Sequence, residues 1–293
     1  MDIPFNKIGI VGVGLIGGSL GLALKKDAPT LRILGIGRMA ERLDLARRMG
    51  ALDEYATDLE ALRDCDLVIL ATPVESILDL LEKIGGHLHH AAVVTDVGST
   101  KRVICERAWR ALPASVEFIG GHPVAGREVA GVENSLPGLF RGAPYVLCPR
   151  PGVGCLNLGR MQTVVEILGA RLFVMTPEEH DSAIAWVSHL PQIISTALAN
   201  VAGDQRTDIS GSGLRDMLRL AGSPYSIWQG IFQTNRDNID CALEQFIRYL
   251  ERVRILLRDG SVSAEFGRAV ENHKKIQKTG EVRAVSRFSS PAC

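Results

Sequence analysis

The sequence lacks several features that mark whole classes of protein. Its 33 Lys and Arg residues equal its 33 Asp and Glu residues, so no charge excess indicates binding to nucleic acid or to an anionic membrane. No apolar run approaches the roughly 18 residues that span a bilayer. The first residues, MDIPFNKIGIVGVG, contain no basic leader with a small-residue cleavage site. The sequence therefore predicts a cytoplasmic protein that binds neither nucleic acid nor a membrane.

The cysteines and histidines show no metal-binding or disulfide pattern. The six cysteines include no C-x-x-C pair, which favours reduced thiols in a cytosolic protein. The stretch GGHLHH at 85–90 is rich in histidine, but it has no further metal ligands at a useful spacing. We interpret it as a solvated loop and expect no metal site.

The first half of the chain alternates strand-like and helix-like segments. Short apolar runs are followed by helical patterns, beginning with Ile8–Val11 and the stretch LIGGSLGLALKK. Near-continuous apolar strands that alternate with helices are typical of a parallel sheet covered on both faces. We therefore expect an α/β fold with a doubly wound, mostly parallel sheet.

The pattern changes after about residue 150. One more helix–strand pair closes the sheet, and Thr176-Pro177-Glu178-Glu179 then has the sequence of a helix start, with Thr as the cap and Pro at the first helical position. Only helical patterns follow, up to about residue 260. We expect a Rossmann-like dinucleotide-binding domain over residues 1–175 and an all-helical domain over 176–293, of which the last thirty, polar residues are loosely held.

A glycine motif follows the first strand. Gly12-x-Gly14-x-x-Gly17, with Leu15 and Ile16 as the residues before the last glycine, lies between a strand and a helix. In a dinucleotide site the first glycine makes the tight turn, the second lets the pyrophosphate approach the backbone, and the third packs helix on strand. The helix then offers its first N–H groups to the phosphates. This context favours a dinucleotide site over a purely structural turn.

The ends of the second and third apolar strands bear on the choice of cofactor. NAD-specific proteins place an Asp or Glu after the second strand to bind the ribose 2′-hydroxyl, whereas this chain has Gly37 and then Arg38. Glycine leaves room for a 2′-phosphate and arginine can pair with it, so we favour NADP over NAD. The alternative is an exposed arginine at a strand end. Thr72 and Pro73 end the next strand and are expected cofactor neighbours.

The stretch IGGHPVAG holds a histidine between two glycines and a proline. The glycines permit close approach of the backbone, and Pro123 keeps the backbone of His122 extended. These features indicate a loop histidine directed at a target. The alternative is a tight turn in which His122 faces water.

Six stretches occur in order along the chain: GVGLIGGSL, DVGSTK, GGHPVAG, TPEEHD, SHLP and GSGLRDMLRLA. Together they resemble the prephenate/arogenate dehydrogenase family of tyrosine biosynthesis, from about residue 6 to residue 260. The resemblance implies a nucleotide-binding domain and a helical domain through which two subunits form a homodimer. It implies oxidative decarboxylation of prephenate to 4-hydroxyphenylpyruvate, or of arogenate to tyrosine, with NADP or NAD. We expect neither a fused chorismate mutase nor a C-terminal regulatory domain.

The resemblance also implies roles for individual residues. His122, in GGHP, would take the proton of the substrate hydroxyl, and a neutral imidazole with a pKa of about 6.5 suits this task. Ser99 of DVGSTK matches the family serine that orients the histidine and touches the same hydroxyl. Arg219 matches the arginine that binds a substrate carboxylate. Arg215 lies one helical turn before it, and without the family context the two arginines would be interpreted as a solvated pair.

The SHLP motif departs from the pattern of many family members. Prephenate-using members often continue with a second histidine that contacts substrate, where this chain has Gln192. Glutamine donates a hydrogen bond but never carries a positive charge, which leaves the preference between prephenate and arogenate open. His189 is either a residue of the substrate pocket or a structural histidine of the core.

Two other functions are consistent with the overall pattern. A β-hydroxyacid dehydrogenase would have a similar domain organisation, but that class uses a lysine of its helical domain, and this chain has no lysine between Lys101 and Lys274. A dinucleotide-sensing module would have no need for Ser99, His122 and Arg219 together. Both alternatives are therefore disfavoured.

Overall fold

The computed structural model describes residues 3–127 and 129–281. The first part of this range forms a sheet of eight strands. The strands lie in the order β3-β2-β1-β4-β5-β6-β7-β8, and all neighbours are parallel except β6 and β7. The predicted doubly wound, mostly parallel sheet is thus confirmed. The strands are β1 Lys7–Val11, β2 Arg32–Ile36, β3 Glu54–Ala56, β4 Leu67–Leu70, β5 Val93–Asp96, β6 Glu117–Pro123, β7 Pro144–Cys148 and β8 Arg171–Val174.

Two apolar cores cover the two faces of the sheet. One core is formed with α1, α2 and α5, and the other with α3 and α4. The strands between them are apolar on both faces because each face meets a helix layer, as expected for a parallel sheet. The helices are α1 Leu15–Asp27, α2 Ala40–Arg48, α3 Val74–Ile84, α4 Arg102–Ala111 and α5 Leu158–Ile167.

Strand β6 corrects the expected position of His122. The residue does not lie in a loop, because β6 continues through Pro123 and pairs antiparallel with β7, with His122 opposite Val146. Pairing with a strand that returns from the opposite direction satisfies the backbone where the parallel neighbour β5 has ended. The sequence also missed β3, a three-residue edge strand. Strands this short carry too little periodicity to detect.

The chain continues as helices after β8. The predicted helix start is confirmed, since Thr176 and Glu179 form a reciprocal capping box at the N-terminus of α6. A π-helical turn over Ala185–His189 lies between α6 and α7 and interrupts the α-helical hydrogen-bond pattern. The turn ends two residues before Pro191, which has no N–H to continue the helical hydrogen bonds. The helices are α6 Pro177–Ile184, α7 Leu190–Gly203, α8 Ser212–Leu218, α9 Tyr225–Thr234, α10 Arg236–Arg258 and α11 Ser263–Glu281.

The last part of the chain contains a helix that the sequence did not predict. Residues 263–281 form α11, while 282–293 lie outside the described residues. Few of the α11 side chains are buried within one chain, which is consistent with the polar sequence of this helix. Among the described helices, none is long and apolar enough to cross a membrane, and no group of three metal-ligating side chains in the same residues could hold a metal ion.

Candidate active site

The three glycines of the motif after β1 occupy the positions that a dinucleotide site requires. Gly12 has φ +94°, and a Cβ there would lie 2.5 Å from Cγ2 of Thr72. A Cβ on Gly17 would lie 2.2 Å from the carbonyl oxygen of Gly12, so only glycine lets α1 pack against the turn. A Cβ on Gly14 would meet nothing within 4 Å. The space beside Gly14 is where a pyrophosphate would approach the backbone.

The N-terminus of α1 faces the same turn. The helix begins at Leu15, its cap residue is Gly14, and its first turn contains no acidic residue and no capping side chain. The N–H groups of Leu15, Ile16 and Gly17 therefore have no carboxylate of their own to satisfy them. Together with the positive end of the helix dipole, they suit an anionic phosphate group.

Thr72 and Pro73 lie beside the glycine turn. They follow β4, the strand that pairs with β1, and Pro73 is the residue before the first residue of α3. The buried hydroxyl of Thr72 has no hydrogen-bond partner among the described residues. Since buried polar atoms are normally hydrogen bonded, this hydroxyl fits a site that a bound cofactor completes.

Gly37 and Arg38 lie at the end of β2, with Ile36 in register with Val11 of β1. Gly37 is half-buried and Arg38 is exposed. A Cβ on Gly37 would lie 3.3 Å from Cδ2 of Leu43, the flexible end of a side chain. A larger residue at position 37 would therefore need only a small shift of Leu43.

His122 is held by a chain of hydrogen bonds. Its Nδ1 lies 2.8 Å from Nε2 of His180, and Nδ1 of His180 lies 2.8 Å from Oδ1 of Asp181. All three side chains are buried. His122 comes from β6, whereas His180 and Asp181 lie on α6. The contact therefore joins the carboxyl end of a sheet strand to the helical part of the chain.

Asp181 also caps the N-terminus of α4. Its two carboxylate oxygens accept hydrogen bonds from the backbone N–H groups of Lys101, at 2.7 Å, and Arg102, at 3.0 Å. The first N–H groups of a helix have no partner within it, and a carboxylate there also interacts well with the helix dipole. A second contact at this helix end joins the hydroxyls of Thr100 and Thr234 at 2.7 Å.

The pKa of His122 is lower than the sequence led us to expect. Burial lowers this pKa well below 6.5, and the nearby His180 and Lys101 lower it further. Both effects disfavour the charged imidazolium. The neutral ring, which can accept a proton, therefore persists to a lower pH than for an ordinary histidine.

A buried ion pair lies next to this histidine. Nζ of Lys101 donates to Oδ2 of Asp96, and both side chains are fully buried. Asp96 also accepts hydrogen bonds from the backbone N–H groups of Gly98, at 2.8 Å, and Gly121, at 3.0 Å. The carboxylate thereby connects the turn after β5 to the residue that precedes His122.

Sequence reasoning missed four of these residues: Asp96, Lys101, His180 and Asp181. All four lie in the DVGSTK and TPEEHD stretches that carried the resemblance. Each has the sequence context of an ordinary strand end or first helical turn, where polar residues are common. A usable signal was the charged Asp96 at the end of an apolar strand, because such a residue must be paired when buried.

Ser99 lies between β5 and α4 and is half-buried. Because β5 and β6 are adjacent and parallel, Ser99 and His122 both follow the paired residues at the same edge of the sheet. Within the described residues, however, the hydroxyl of Ser99 makes no hydrogen bond to His122. The side chain that contacts the His122 ring here is His180, at 2.8 Å. The orienting role of Ser99 stays a prediction.

The two arginines lie on the surface of the helical part. Arg215 is on α8, and Arg219 is on the 3-10 turn Arg219–Gly222 that follows it. Both side chains are exposed, and Arg215 donates to the carbonyl oxygen of Ser210 at 3.4 Å. The substrate-binding roles expected of both arginines stay predictions.

Gln192 is buried on α7 and holds the turn that carries Arg219. Its Nε2 donates to the carbonyl oxygen of Leu220 at 3.0 Å and to the hydroxyl of Thr196 at 3.3 Å. Both amide protons are therefore used within the protein. Only Oε1 remains for a ligand, so Gln192 can contribute an acceptor there but no donor.

His189 is fully buried at the end of the π-helical turn. Nδ2 of Asn235 lies 3.3 Å from its Nδ1 and donates to it, which places the ring proton on Nε2. That Nε2 has no hydrogen-bond partner among the described residues. Burial lowers the pKa of His189 to about 4, so the ring is a neutral donor. Such an unpaired donor fits a pocket residue, the first of the two interpretations of the sequence.

The low pKa of His189 predicts acid sensitivity. In the unfolded chain its pKa returns to about 6.5, so unfolded molecules bind the proton first as the pH falls. The stability present above pH 6.5 is thus lost progressively toward pH 4, by about 1 kcal/mol at about pH 5.5. Urea unfolding of wild type and His189→Gln, at about pH 7.5 and 5.5 and one protein concentration, measures this. We expect a smaller loss of stability in the variant; an equal loss would contradict the assignment.

Two family models cover most of the chain. Residues 20–174 match the nucleotide-binding domain of prephenate dehydrogenase, and residues 176–271 match its dimerization domain. The chain belongs to the prephenate dehydrogenase family. The sequence resemblance is therefore confirmed, and the nucleotide-binding match, together with a similar structure that holds NAD+, supports a nicotinamide dinucleotide as the cofactor.

Individual family members agree with this assignment. The prephenate dehydrogenase of Bacillus subtilis is 33% identical over 257 residues, which cover 85% of this chain and 69% of the relative. The crystal structure of prephenate dehydrogenase from A. aeolicus in complex with hydroxyphenyl propionate and NAD+ has a TM-score of 0.88 and 29% identity, covering 94% of this chain and 100% of that one. The Synechocystis arogenate dehydrogenase structure has a TM-score of 0.79 and 31% identity, covering 93% and 99%.

Proposed function

We propose that this protein catalyses the oxidative decarboxylation of prephenate to 4-hydroxyphenylpyruvate, with hydride transfer to a nicotinamide dinucleotide. It is an oxidoreductase of the prephenate dehydrogenase family. The observation that carries the proposal is the buried, neutral His122 at the carboxyl end of β6, on the sheet edge that also holds the glycine turn. Arogenate, or both substrates, is the alternative, since one similar structure is an arogenate dehydrogenase.

The residues divide the chemistry between them. His122 accepts the proton of the substrate hydroxyl at Nε2 while the hydride leaves the same ring carbon. Ser99, at the same sheet edge, donates a hydrogen bond to this oxygen. The ring becomes aromatic when the carboxylate leaves as CO₂, and the oxygen then takes its proton back from His122. A bound nicotinamide dinucleotide would supply the hydride acceptor, and the Gly12–Gly17 turn, Thr72 and Pro73 would hold it.

The helical part supplies the substrate contacts in this proposal. Arg219 pairs with a substrate carboxylate, and Arg215 lies one turn away as a second cation. His189 offers its unpaired Nε2–H to a substrate oxygen. Gln192 stands where many prephenate-using members have a histidine, and it presents only an acceptor. An acceptor suits the ammonium group of arogenate as well as it suits a hydroxyl, which keeps arogenate as a substrate to be tested.

Direct assay tests the function. Purified protein is mixed with prephenate or arogenate, each with NADP or NAD, and reduced cofactor is followed by absorbance. We expect reduction with prephenate and formation of 4-hydroxyphenylpyruvate. Tyrosine formed only from arogenate would select the alternative. No reduction with either substrate would contradict the proposed activity, and omission of substrate is the control.

We infer a preference for NADP from the end of β2. Gly37 leaves room for a 2′-phosphate, and the exposed Arg38 can pair with it. One charge-assisted contact is worth about 1.5–3 kcal/mol, so we expect NADP to be favoured roughly tenfold to a hundredfold in kcat/KM. The preference should shrink as salt rises because this rim is exposed.

Two variants test the cofactor choice. Gly37→Asp with Arg38→Ile should reverse the preference for NADP, because the new carboxylate accepts a hydrogen bond from the ribose 2′-hydroxyl of NAD and repels the 2′-phosphate of NADP. Arg32→Ala is the matched control, since Arg32 is exposed at the opposite end of the same strand. A wild-type enzyme that prefers NAD at both low and moderate salt would contradict the inference. Equal use of both cofactors would indicate that Arg38 stacks on the adenine ring.

We also propose that the protein is a homodimer. The helices α10 and α11 fall mainly within the dimerization-domain match, and they expose a large apolar surface in a single chain. Monomeric proteins rarely leave large contiguous apolar patches in water, so a second copy is the natural cover. The exposed apolar residues are Ile247, Leu250, Ile255 and Leu257 on α10, and Phe266, Val270 and Ile276 on α11.

A further inference from the structure

We propose that His180 and Asp181 act on His122 as a relay: they fix which nitrogen of His122 faces the substrate, and they receive the positive charge that the reaction places on it. The inference rests on the proposed function, in which His122 is the base. It makes His180 and Asp181 positioning residues, since neither touches the reacting atoms. The observation behind it is the unbroken hydrogen-bonded chain from His122 through His180 to Asp181.

The direction of each hydrogen bond in this series follows from its last member, the carboxylate of Asp181. Asp181 accepts from two backbone N–H groups, so its oxygens act as acceptors and Nδ1 of His180 must be a donor. A neutral His180 with its proton on Nδ1 has only a lone pair on Nε2. Nδ1 of His122 must then donate to that lone pair. The proton of neutral His122 is thus on Nδ1, and Nε2 is left as the acceptor for the substrate hydroxyl.

The same hydrogen bonds let the positive charge move from His122 to His180, where it is better stabilised. Once Nε2 of His122 has gained the substrate proton, its Nδ1 proton can cross the 2.8 Å hydrogen bond to Nε2 of His180. His122 becomes neutral again, and His180 becomes an imidazolium whose Nδ1–H remains on Asp181. The steps reverse when the product oxygen takes its proton back. No proton is lost, and no further reactant is needed.

The surroundings favour charge on His180 over charge on His122. The charged and titratable groups that face the pair are Asp181, Asp96, Lys101 and His189. Asp181 and Asp96 raise the pKa of His180 against the effects of its burial and of Lys101, whereas burial, His180, Lys101 and His189 all lower the pKa of His122. Contact with a carboxylate stabilises an imidazolium, and Asp181 is in direct contact only with His180 of these two rings.

Three variants separate the two roles of the relay. His180→Gln keeps an acceptor for Nδ1–H of His122 but cannot take a second proton, so we expect kcat to fall about tenfold, the equivalent of one pKa unit. His180→Leu removes the acceptor as well, and kcat should fall by roughly 10²–10⁴, the full value of a general base. Asp181→Asn removes the charge that stabilises the imidazolium. The kcat of this variant should fall. The acid limb of its pH profile, where kcat/KM declines as the base becomes protonated, should move to lower pH by about one unit.

Asp237→Asn is the matched control for Asp181→Asn. Asp237 also comes from the helical part and binds the start of α4, through Arg102 at 2.7 Å, but it touches no imidazole. We expect unchanged kcat and an unchanged acid limb in this variant. If both variants lower kcat equally and leave the acid limb in place, Asp181 is only a contact between helices, and the relay is refuted.

Histidine NMR of the substrate-free protein tests the tautomer without the reaction. With ¹⁵N-labelled histidine and His122→Asn for assignment, we expect His122 to be protonated at Nδ1 in wild type and His180→Gln, and to lose this preference in His180→Leu. Protonation of wild-type His122 at Nε2 would overturn the relay even in a fully active enzyme. The expected tautomer in a protein inactive on prephenate and arogenate would instead refute only the proposed function.

Discussion

Replacement of His122 by Asn is expected to lower kcat by roughly 10²–10⁴, the usual contribution of general acid–base catalysis. Asn is close to the imidazole in size and can still hydrogen bond to His180, but it cannot accept the substrate proton. The glycine turn follows β1, which β4 and β5 separate from β6 in the sheet, so cofactor affinity should remain at the wild-type value. Steady-state kinetics with prephenate and fluorescence titration with the reduced cofactor measure the two quantities separately.

A surface histidine provides the control for this variant. His90 is exposed in the turn before β5, and His90→Asn should retain wild-type kcat. Because burial lowers the pKa of His122, the acid limb of the wild-type pH profile should lie below the value of about 6.5 for a free imidazole. Near-normal turnover of His122→Asn would remove this residue from the mechanism and the relay with it.

Loss of Arg219 is expected to act on substrate binding. Arg219→Ala leaves a substrate carboxylate without its cation, and we expect KM for prephenate to rise at least thirtyfold, equivalent to about 2 kcal/mol. We expect the lower end of the usual cost of removing one partner of a charge pair, because the Arg219 side chain is exposed in the single chain. Arg219→Lys should restore binding only in part, since an ammonium group cannot make two parallel hydrogen bonds to a carboxylate.

Arg215→Ala is the comparison for Arg219→Ala. It removes the same charge one helical turn away, and we expect a smaller change in KM. If Arg219→Ala binds prephenate normally and Arg215→Ala does not, the carboxylate is assigned to the wrong arginine. Measurement of kcat in both variants checks that the loss lies in binding, since the proposed proton transfer does not involve either guanidinium group.

Local sequence was sufficient for the features whose interactions lie within a few residues. The glycine turn could be predicted because Gly12 needs a positive φ and Gly17 must lie against the turn itself. The cap of α6 could be predicted because Thr176 and Glu179 satisfy each other's backbone across one helical turn. The apolar strands and the helices between them likewise carry their own periodicity.

Only the tertiary structure decided the surroundings of His122. His122 and His180 are 58 residues apart, and Asp181 caps a helix that begins about 80 residues before it. No local pattern encodes such contacts, because they depend on where β6 and α6 meet after the chain has passed through β7, α5 and β8. The antiparallel return of β7 likewise placed His122 on a strand, where the sequence alone suggested a loop. Burial by these distant segments is also what lowers the pKa of the imidazole and keeps it neutral, and this effect of the folded interior has no counterpart in the unfolded sequence.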